Sequence, residues 1–223
     1  MKKEIIKTDD GSHSLFVPEL NENYHSTHGA WNEAMHVFID KGFRNRGGKN
    51  ELSILEIGFG TGLNTLLTAK EAMDSGINVK YTSLEKYPLS SDIIQQLNFC
   101  QHIPNEEKTY SELFNKIHQS PWEEFEQIHS SFLLKKCEIG VSDWITSNKF
   151  DIIYFDAFAP EKQPEMWEDA VFEKMFNCLK EDGFLTTYCA KGIIKRRLKS
   201  IGFRVENVPG PPGKREMTLA FRN

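Results

Sequence analysis

Apolar positions in this chain fall into short runs separated by amphipathic stretches, and the two alternate along most of its length. Ile5 and Ile6, then Leu15 to Val17, flank a DDG turn at Asp9–Gly11 and predict a hairpin over residues 3–17. From Gly29 onward, Ala30, Ala34, Val37, Phe38 and Lys41 suit a helix with one buried face. Leu52, Ile54, Leu55 and Ile57 form a buried strand, Leu63 to Met73 a helix, and Val79 to Leu84 a second strand. Pro88 is placed to start a helix running through Leu97. Residues 104–130, broken by Pro104 and Pro121 and crowded with glutamates, predict two short amphipathic helices as an insertion. Phe132 to Ile139 reads as a strand, Ser142-Asp143-Trp144 as a capped helix start, and Asp151 to Phe155 as a buried strand. A helix over Pro164 to Leu179, a turn at Glu181–Gly183 and a strand over Phe184 to Tyr188 follow. A basic helix over Ala190 to Ile201 and strands at Phe203–Val208 and Met217–Phe221 close the chain.

Strands alternating with helices of this length predict an α/β fold: a mostly parallel, Rossmann-like sheet covered on both faces. The closing strand–loop–strand, with no helix between, requires an antiparallel last strand. Residues 1–50 read as a hairpin and helix packed on a main domain spanning 51–223.

The segment ELSILEIGFGTGLN, Glu51 to Asn64, is where chemistry first enters. A buried strand breaks at Gly58, Gly60 and Gly62 and hands over to a helix, so a ligand can lie against bare peptide and unpaired helix N–H groups. Glu56 precedes the turn, and Glu85 in YTSLEKY ends the next strand, where a carboxylate is placed to accept hydrogen bonds from a ribose diol. Glycines at strict intervals of two, without the GxGxxG spacing, favour S-adenosylmethionine over a dinucleotide. Asp143, after the 132–139 strand, is placed to reach an adenine amino group.

Composition narrows the picture further. The net charge of −5 excludes a surface that is basic throughout but allows a local basic face. The four cysteines lie far apart and read as reduced thiols. His25, His28 and His36 lack ligand spacing, so no metal is expected. No stretch resembles a signal peptide or a membrane span, and a cytoplasmic protein without a membrane or stable protein partner is expected.

Asp156, opening DAFAP at the end of a strand, is the candidate catalytic residue. An acceptor amine is largely protonated at neutral pH, and a carboxylate beside it can orient it and take the proton. Phe158 and Pro160 give an apolar rim on which a planar ring can stack. Lys191, Lys195, Arg196, Arg197 and Lys199, with Lys214 and Arg215 in the loop PGPPGKRE, form a concentrated basic set suited to phosphates. A solvated charged face is the alternative reading of the same residues.

Together GFGTGLN (58–64), EKYPL (85–89), DAFAPEKQPEMW (156–167) and GKREM (213–217), with YHSTHGAWNEAMHVFI before them, resemble the methyltransferase domain of the bacterial MnmC/MnmD family. The resemblance implies a class I S-adenosylmethionine-dependent methyltransferase fold. It implies methylation of the 5-aminomethyl group of 2-thiouridine at the wobble position of tRNA, recognised through the anticodon region. By matching position it assigns the cofactor to Gly58, Gly60, Gly62 and Glu85; Phe59, Thr61, Asn64 and Lys86 beside them are further cofactor candidates, with Glu56 and Asp143 above. It sets Asp156 against the reacting amine and Phe158, Pro160, Lys214 and Arg215 on the tRNA side, to which the basic helix adds Arg197 as a candidate. The family commonly shows a Gly-Asp pair after the third strand, where this chain has Gly140-Val141-Ser142-Asp143. Its fused members carry a flavin-dependent oxidase domain, and no flavin is expected for the chain given. A methyltransferase acting on a small-molecule or protein amine, and a non-catalytic cofactor-binding module, are the competing readings.

Overall fold

The structure is a computed structural model that describes all of residues 1–223. Its first strands, β1 (Glu4–Lys7), β2 (His13–Val17) and β3 (Glu22–Asn23), make a small antiparallel sheet. Helix α1 (Ala30–Ala34) runs on as a π-helical stretch, Met35–Asp40. The main sheet begins with β4 (Glu51–Ile57), α2 (Leu63–Ser75) and β5 (Asn78–Leu84). Then come α3 (Ser91–Ile94), α4 (Glu107–Gln119), β6 (Phe125–His129), β7 (Phe132–Cys137) and β8 (Phe150–Phe155). The chain ends with α5 (Asp169–Cys178), β9 (Leu179–Thr187), α6 (Gly192–Ile201), β10 (Arg204–Pro209) and β11 (Glu216–Phe221).

The eight strands run in the order β10-β11-β9-β8-β4-β5-β7-β6. From β7 to β9 all neighbours are parallel, and β11 is antiparallel to both β9 and β10. The antiparallel last strand is therefore present, inserted one place in from the edge. Strand order reverses at β4, whose neighbours β5 and β8 lie on opposite sides, and this opens a crevice at their carboxyl ends. On one face α1, α2 and α4 cover a core that includes Val37, Leu66, Tyr81, Phe114 and Tyr154. On the other, α5 and α6 cover Phe155, Trp167, Phe172 and Leu198.

Helix α2 is buried along Leu63–Ala69, as expected of an element held between the sheet and its neighbours. Helix α4 instead buries only Tyr110, Leu113, Phe114 and Ile117, one stripe at helical spacing. The second predicted helix of 104–130 is strand β6, which pairs antiparallel with β7 through a two-residue turn at Ser130 and Ser131. Only Ile128 of this edge strand is fully buried, so its glutamates dominate the sequence pattern. The helix predicted from Pro88 shrinks to the four residues of α3, and Ser142–Trp144 is a turn rather than a helix start.

Glu56 belongs to the core, not to a binding surface. Its Oε2 accepts hydrogen bonds from Thr65 Oγ1 (2.9 Å) and Ser83 Oγ (2.5 Å), while Oε1 has no partner. Burial pushes this carboxyl up to about 8 against the two hydroxyls, and nearby Asp156 adds to the rise. The folded chain thus keeps a proton on Glu56 that the unfolded chain releases in the ordinary carboxyl range. Stability from this group is complete at low pH and is lost as pH rises towards 8. Glu56→Gln should flatten that slope, read as urea midpoints at about pH 5.5 and about pH 8.5. An unchanged slope would show that the carboxyl is ionised in the folded state.

Candidate active site

Three strand ends meet at the crevice and are stitched together by their backbones. Gly58 N and Phe59 N both donate to Leu84 O (2.9 and 3.1 Å), and Asp156 N donates to Ile57 O (3.0 Å). The turn after β4 and the loop after β8 are so close that a Cβ on Gly58 would stand 2.5 Å from Asp156 O. A cavity of about 530 Å³ opens above this junction. Its wall includes Gly58–Thr61, Leu63 and Asn64 from the glycine turn, Glu85–Tyr87 after β5, Gly140 and Val141 after β7, and Asp156–Ala159 after β8.

Both carboxyl groups of the strand ends are held by hydrogen bonds. Glu85 Oε2 accepts from Gly60 N (2.9 Å) and its Oε1 from Tyr87 N (2.8 Å), so the acid is tied to the turn it faces. Asn64 Nδ2 donates to Asp156 Oδ2 at 2.9 Å, joining the start of α2 to the loop after β8. Burial pushes the Asp156 carboxyl up to about 7; the Asn64 hydrogen bond opposes the rise, the Glu33 charge adds to it and Lys214 offsets part of it. A carboxyl in that range exchanges a proton readily at neutral pH.

The loop that carries Asp156 is pinned at every following carbonyl. Tyr188 Oη donates to Ala157 O (2.8 Å), and Trp167 Nε1 donates to Phe158 O (2.7 Å). Lys162 N and Gln163 N both donate to Ala159 O. Trp167 is buried against Phe155, with ring centroids 5.1 Å apart, which explains the MW pair seven residues beyond DAFAP. Phe158 meets Tyr24 of the N-terminal extension edge to face at 5.2 Å, making the aromatic rim.

The remainder of the wall comes from the extension, which the sequence pattern did not bring to the site. Tyr24 to His28 and Glu33 line the cavity that Asp156 lines, together with Tyr188 and Lys214. Lys214 Nζ lies 2.6 Å from Glu33 Oε1 and 3.9 Å above the centre of the Tyr188 ring. His25 is half-buried, and desolvation lowers it to about 4, so it stays neutral; it does not form a metal cluster with other residues.

Of the candidate residues, Gly58, Phe59, Gly60, Thr61, Asn64, Glu85, Lys86, Asp156, Phe158 and Lys214 meet at this cavity. Glu56, Gly62, Asp143, Pro160, Arg197 and Arg215 are not on its wall. Gly62 caps α2 in the left-handed conformation, and Asp143 is exposed on the turn after Gly140. Arg197 Nη1 donates to Trp167 O (2.7 Å) and its Nε is 3.5 Å from Asp169, so it anchors α6 to the segment before α5. Much of the expected basic set is spent in the same way: Lys191 pairs with Glu161, and Lys195 with Glu216 at 3.0 Å.

A crevice at the strand-order switch, a glycine turn and an acid after the second strand define a nucleoside-cofactor enzyme of the α/β class. A family described as S-adenosyl-L-methionine-dependent methyltransferases matches residues 104–223, and the chain belongs to that family. Among curated proteins it is similar to the tRNA 5-methylaminomethyl-2-thiouridine biosynthesis bifunctional protein MnmC of Leptospira interrogans serogroup Icterohaemorrhagiae, at 32% identity over 215 residues. That match covers 90% of this chain and 32% of the relative. The MnmC of Cupriavidus metallidurans is 27% identical over 229 residues, covering 97% of this chain and 33% of that protein. The chain thus spans about a third of the length of these curated relatives. Among solved structures, MnmC2 from Aquifex aeolicus shares the fold with a TM-score of 0.78 at 22% identity, over 98% of this chain and 69% of that one. Spermidine synthase from Thermotoga maritima shares it more loosely, with a TM-score of 0.59 at 15% identity, over 99% of this chain and 68% of that one.

The cavity fits S-adenosylmethionine on its own chemistry. Asn64 Oδ1 and Thr61 Oγ1 are buried on its wall without hydrogen-bond partners, an acceptor and a hydroxyl suited to an amino-acid arm. A Cβ on Gly60 would meet no protein atom within 4 Å, so the turn leaves open space where a ligand can lie against the backbone. Glu85, fixed by two backbone N–H groups, keeps acceptor capacity for a diol. No helix in the structure is long and apolar enough to cross a membrane.

Proposed function

We propose that this chain methylates the 5-aminomethyl group of wobble 2-thiouridine in tRNA, giving 5-methylaminomethyl-2-thiouridine. The observation that carries the reading is the Asp156 carboxylate, hydrogen-bonded to Asn64 of the glycine-turn helix and sharing one cavity with Glu85 and the Tyr24–Phe158 rim. Support for the RNA comes from the name of the MnmC relatives, tRNA 5-methylaminomethyl-2-thiouridine biosynthesis proteins, and from the sequence segments shared with that family.

When bound, S-adenosylmethionine supplies an electrophilic methyl carbon on a sulfonium. In this reading Glu85 holds its ribose, the backbone of Gly58 and Gly60 passes beside it, and Thr61 and Asn64 meet its polar arm. Asn64 also fixes the direction of Asp156, which accepts a proton from the substrate ammonium and leaves a neutral amine able to attack. Tyr24 and Phe158 take the face of the pyrimidine, and such a base must leave its stack to reach them. Alignment of this kind is the main contribution a protein can make to a single displacement.

Lys214, the cation on the cavity wall beside Tyr188, is the residue for the RNA side. Lys214→Glu should lower methylation of tRNA at least about tenfold and leave cofactor affinity unchanged, because it sets a second carboxylate against Glu33 and reverses the charge that the RNA meets at the cavity. Arg197→Glu should have the smaller effect on RNA affinity, since its guanidinium is already tied to Trp167 O and Asp169. Equal losses of RNA affinity in the two variants would return the basic helix to the RNA interface. The decisive experiment is transfer of labelled methyl from S-adenosylmethionine to tRNA from a strain lacking this chain, followed by nucleoside analysis. Label in 5-methylaminomethyl-2-thiouridine supports the reading, and label only in protein or small amines supports the competing one.

A further inference from the structure

We propose that Glu33 is a positioning residue for this reaction: from the N-terminal extension it holds Lys214 against Tyr188 and so fixes the charge that faces Asp156. This deepens the reading above and rests on Asp156 being the proton acceptor.

Glu33 is 7% exposed, on a helix whose first turn packs into the core. A carboxylate is rarely buried to that extent unless both oxygens are engaged. Here Oε1 takes the Lys214 ammonium at 2.6 Å and Oε2 accepts Ser26 N–H at 2.7 Å. Lys214 belongs to the loop between β10 and β11, at the far end of the chain, and has the Tyr188 ring beneath it. The pair therefore joins the extension to the last hairpin on the wall of the cavity that Asp156 also lines. Departure of the half-buried Lys214 would leave the buried Glu33 carboxylate uncompensated, which holds the loop in place.

The electrostatic consequence follows from what surrounds Asp156. Glu33 on α1 and Lys214 on the β10–β11 loop act in opposite directions, Glu33 the more strongly. Glu56 on β4 lies within Coulombic reach from below, and Tyr188 after β9 faces Asp156 with a phenol kept neutral by burial. Glu85 and Lys86 after β5, and Lys3, Glu22, Tyr24, His25 and His28 of the extension, line the same cavity. Glu33 and Lys214 are the only two of these that form an ion pair with each other, so removing either unmasks the other.

The test is a pH titration of the Asp156 side-chain carboxyl by carbon-13 NMR in the full chain, its signal assigned by loss in Asp156→Asn. Glu33→Gln leaves Lys214 uncompensated and should move the midpoint down by about one pH unit; Lys214→Met should move it up by a similar amount. The double variant should return towards the wild type. A midpoint unmoved in Glu33→Gln, or falling in Lys214→Met, overturns the proposal; should Glu33→Gln fail to fold, the Lys214→Met arm decides alone. No RNA enters this measurement, so failure of the chain to methylate tRNA would be seen separately, in the labelled-methyl experiment.

Discussion

Asp156→Asn should lower methyl transfer by about 10²–10⁴-fold, the usual span for losing a general base, while S-adenosylmethionine still binds. Asparagine keeps the size of the side chain and an oxygen to accept the Asn64 hydrogen bond, so the link between α2 and the loop after β8 survives. What disappears is the group that takes the proton. In the wild type the rate should climb with pH through about 7, where burial has raised the Asp156 carboxyl, because only the ionised form can accept a proton. The variant should lack that rise. Calorimetric titration with the cofactor and single-turnover rates across pH separate binding from chemistry. A turnover within a few-fold of wild type would remove Asp156 from proton transfer.

Gly58→Ala should be the most damaging small substitution in the glycine turn. Gly58 has φ +94°, which an L side chain adopts at a cost of about 1–3 kcal/mol. Its added Cβ would also stand 2.5 Å from a backbone oxygen, that of Asp156, which cannot swing aside as a side chain could. Relief requires β4 and β8 to part, breaking the Asp156 N to Ile57 O bond and displacing the base. A loss of about 3 kcal/mol would lower the melting temperature by roughly 6–12 °C in a chain of this size. Cofactor affinity should fall with it. Gly60→Ala is the contrast: at φ +51° it carries the backbone strain, but its Cβ meets no protein atom, so the fold should suffer less than at Gly58 and cofactor affinity should fall. A Gly58→Ala chain with wild-type melting and affinity would show that the two strand ends are not rigidly joined.

The half of the cavity built by local signals was legible before the fold was known. The glycine turn, Glu85 and Asp156 each stand where a buried strand stops, and a parallel sheet brings such ends together whatever lies between. The other half depends on pairings that no short window contains. Glu33 reads as one polar residue in an amphipathic helix, and its partner Lys214 is 181 positions away. The cations of 191–199 read as a free patch because Glu161, Asp169 and Glu216, which hold three of them, lie on other elements. Strand β6 was hidden for a different reason: an edge strand with one fully buried side chain leaves little alternation to detect. Glu56 misled through its place next to the turn, since adjacency in sequence puts successive strand residues on opposite faces.

The enclosure of Asp156 by residues 22–33 divides the molecule's labour along its length. In the proposed reaction the methyl donor belongs to the turn and acid that follow β4 and β5, whereas the acceptor side combines Asp156 and Phe158 with the first fifty residues and the last hairpin. Under that reading, substitutions in either end of the chain should alter the acceptor taken before they alter affinity for the donor.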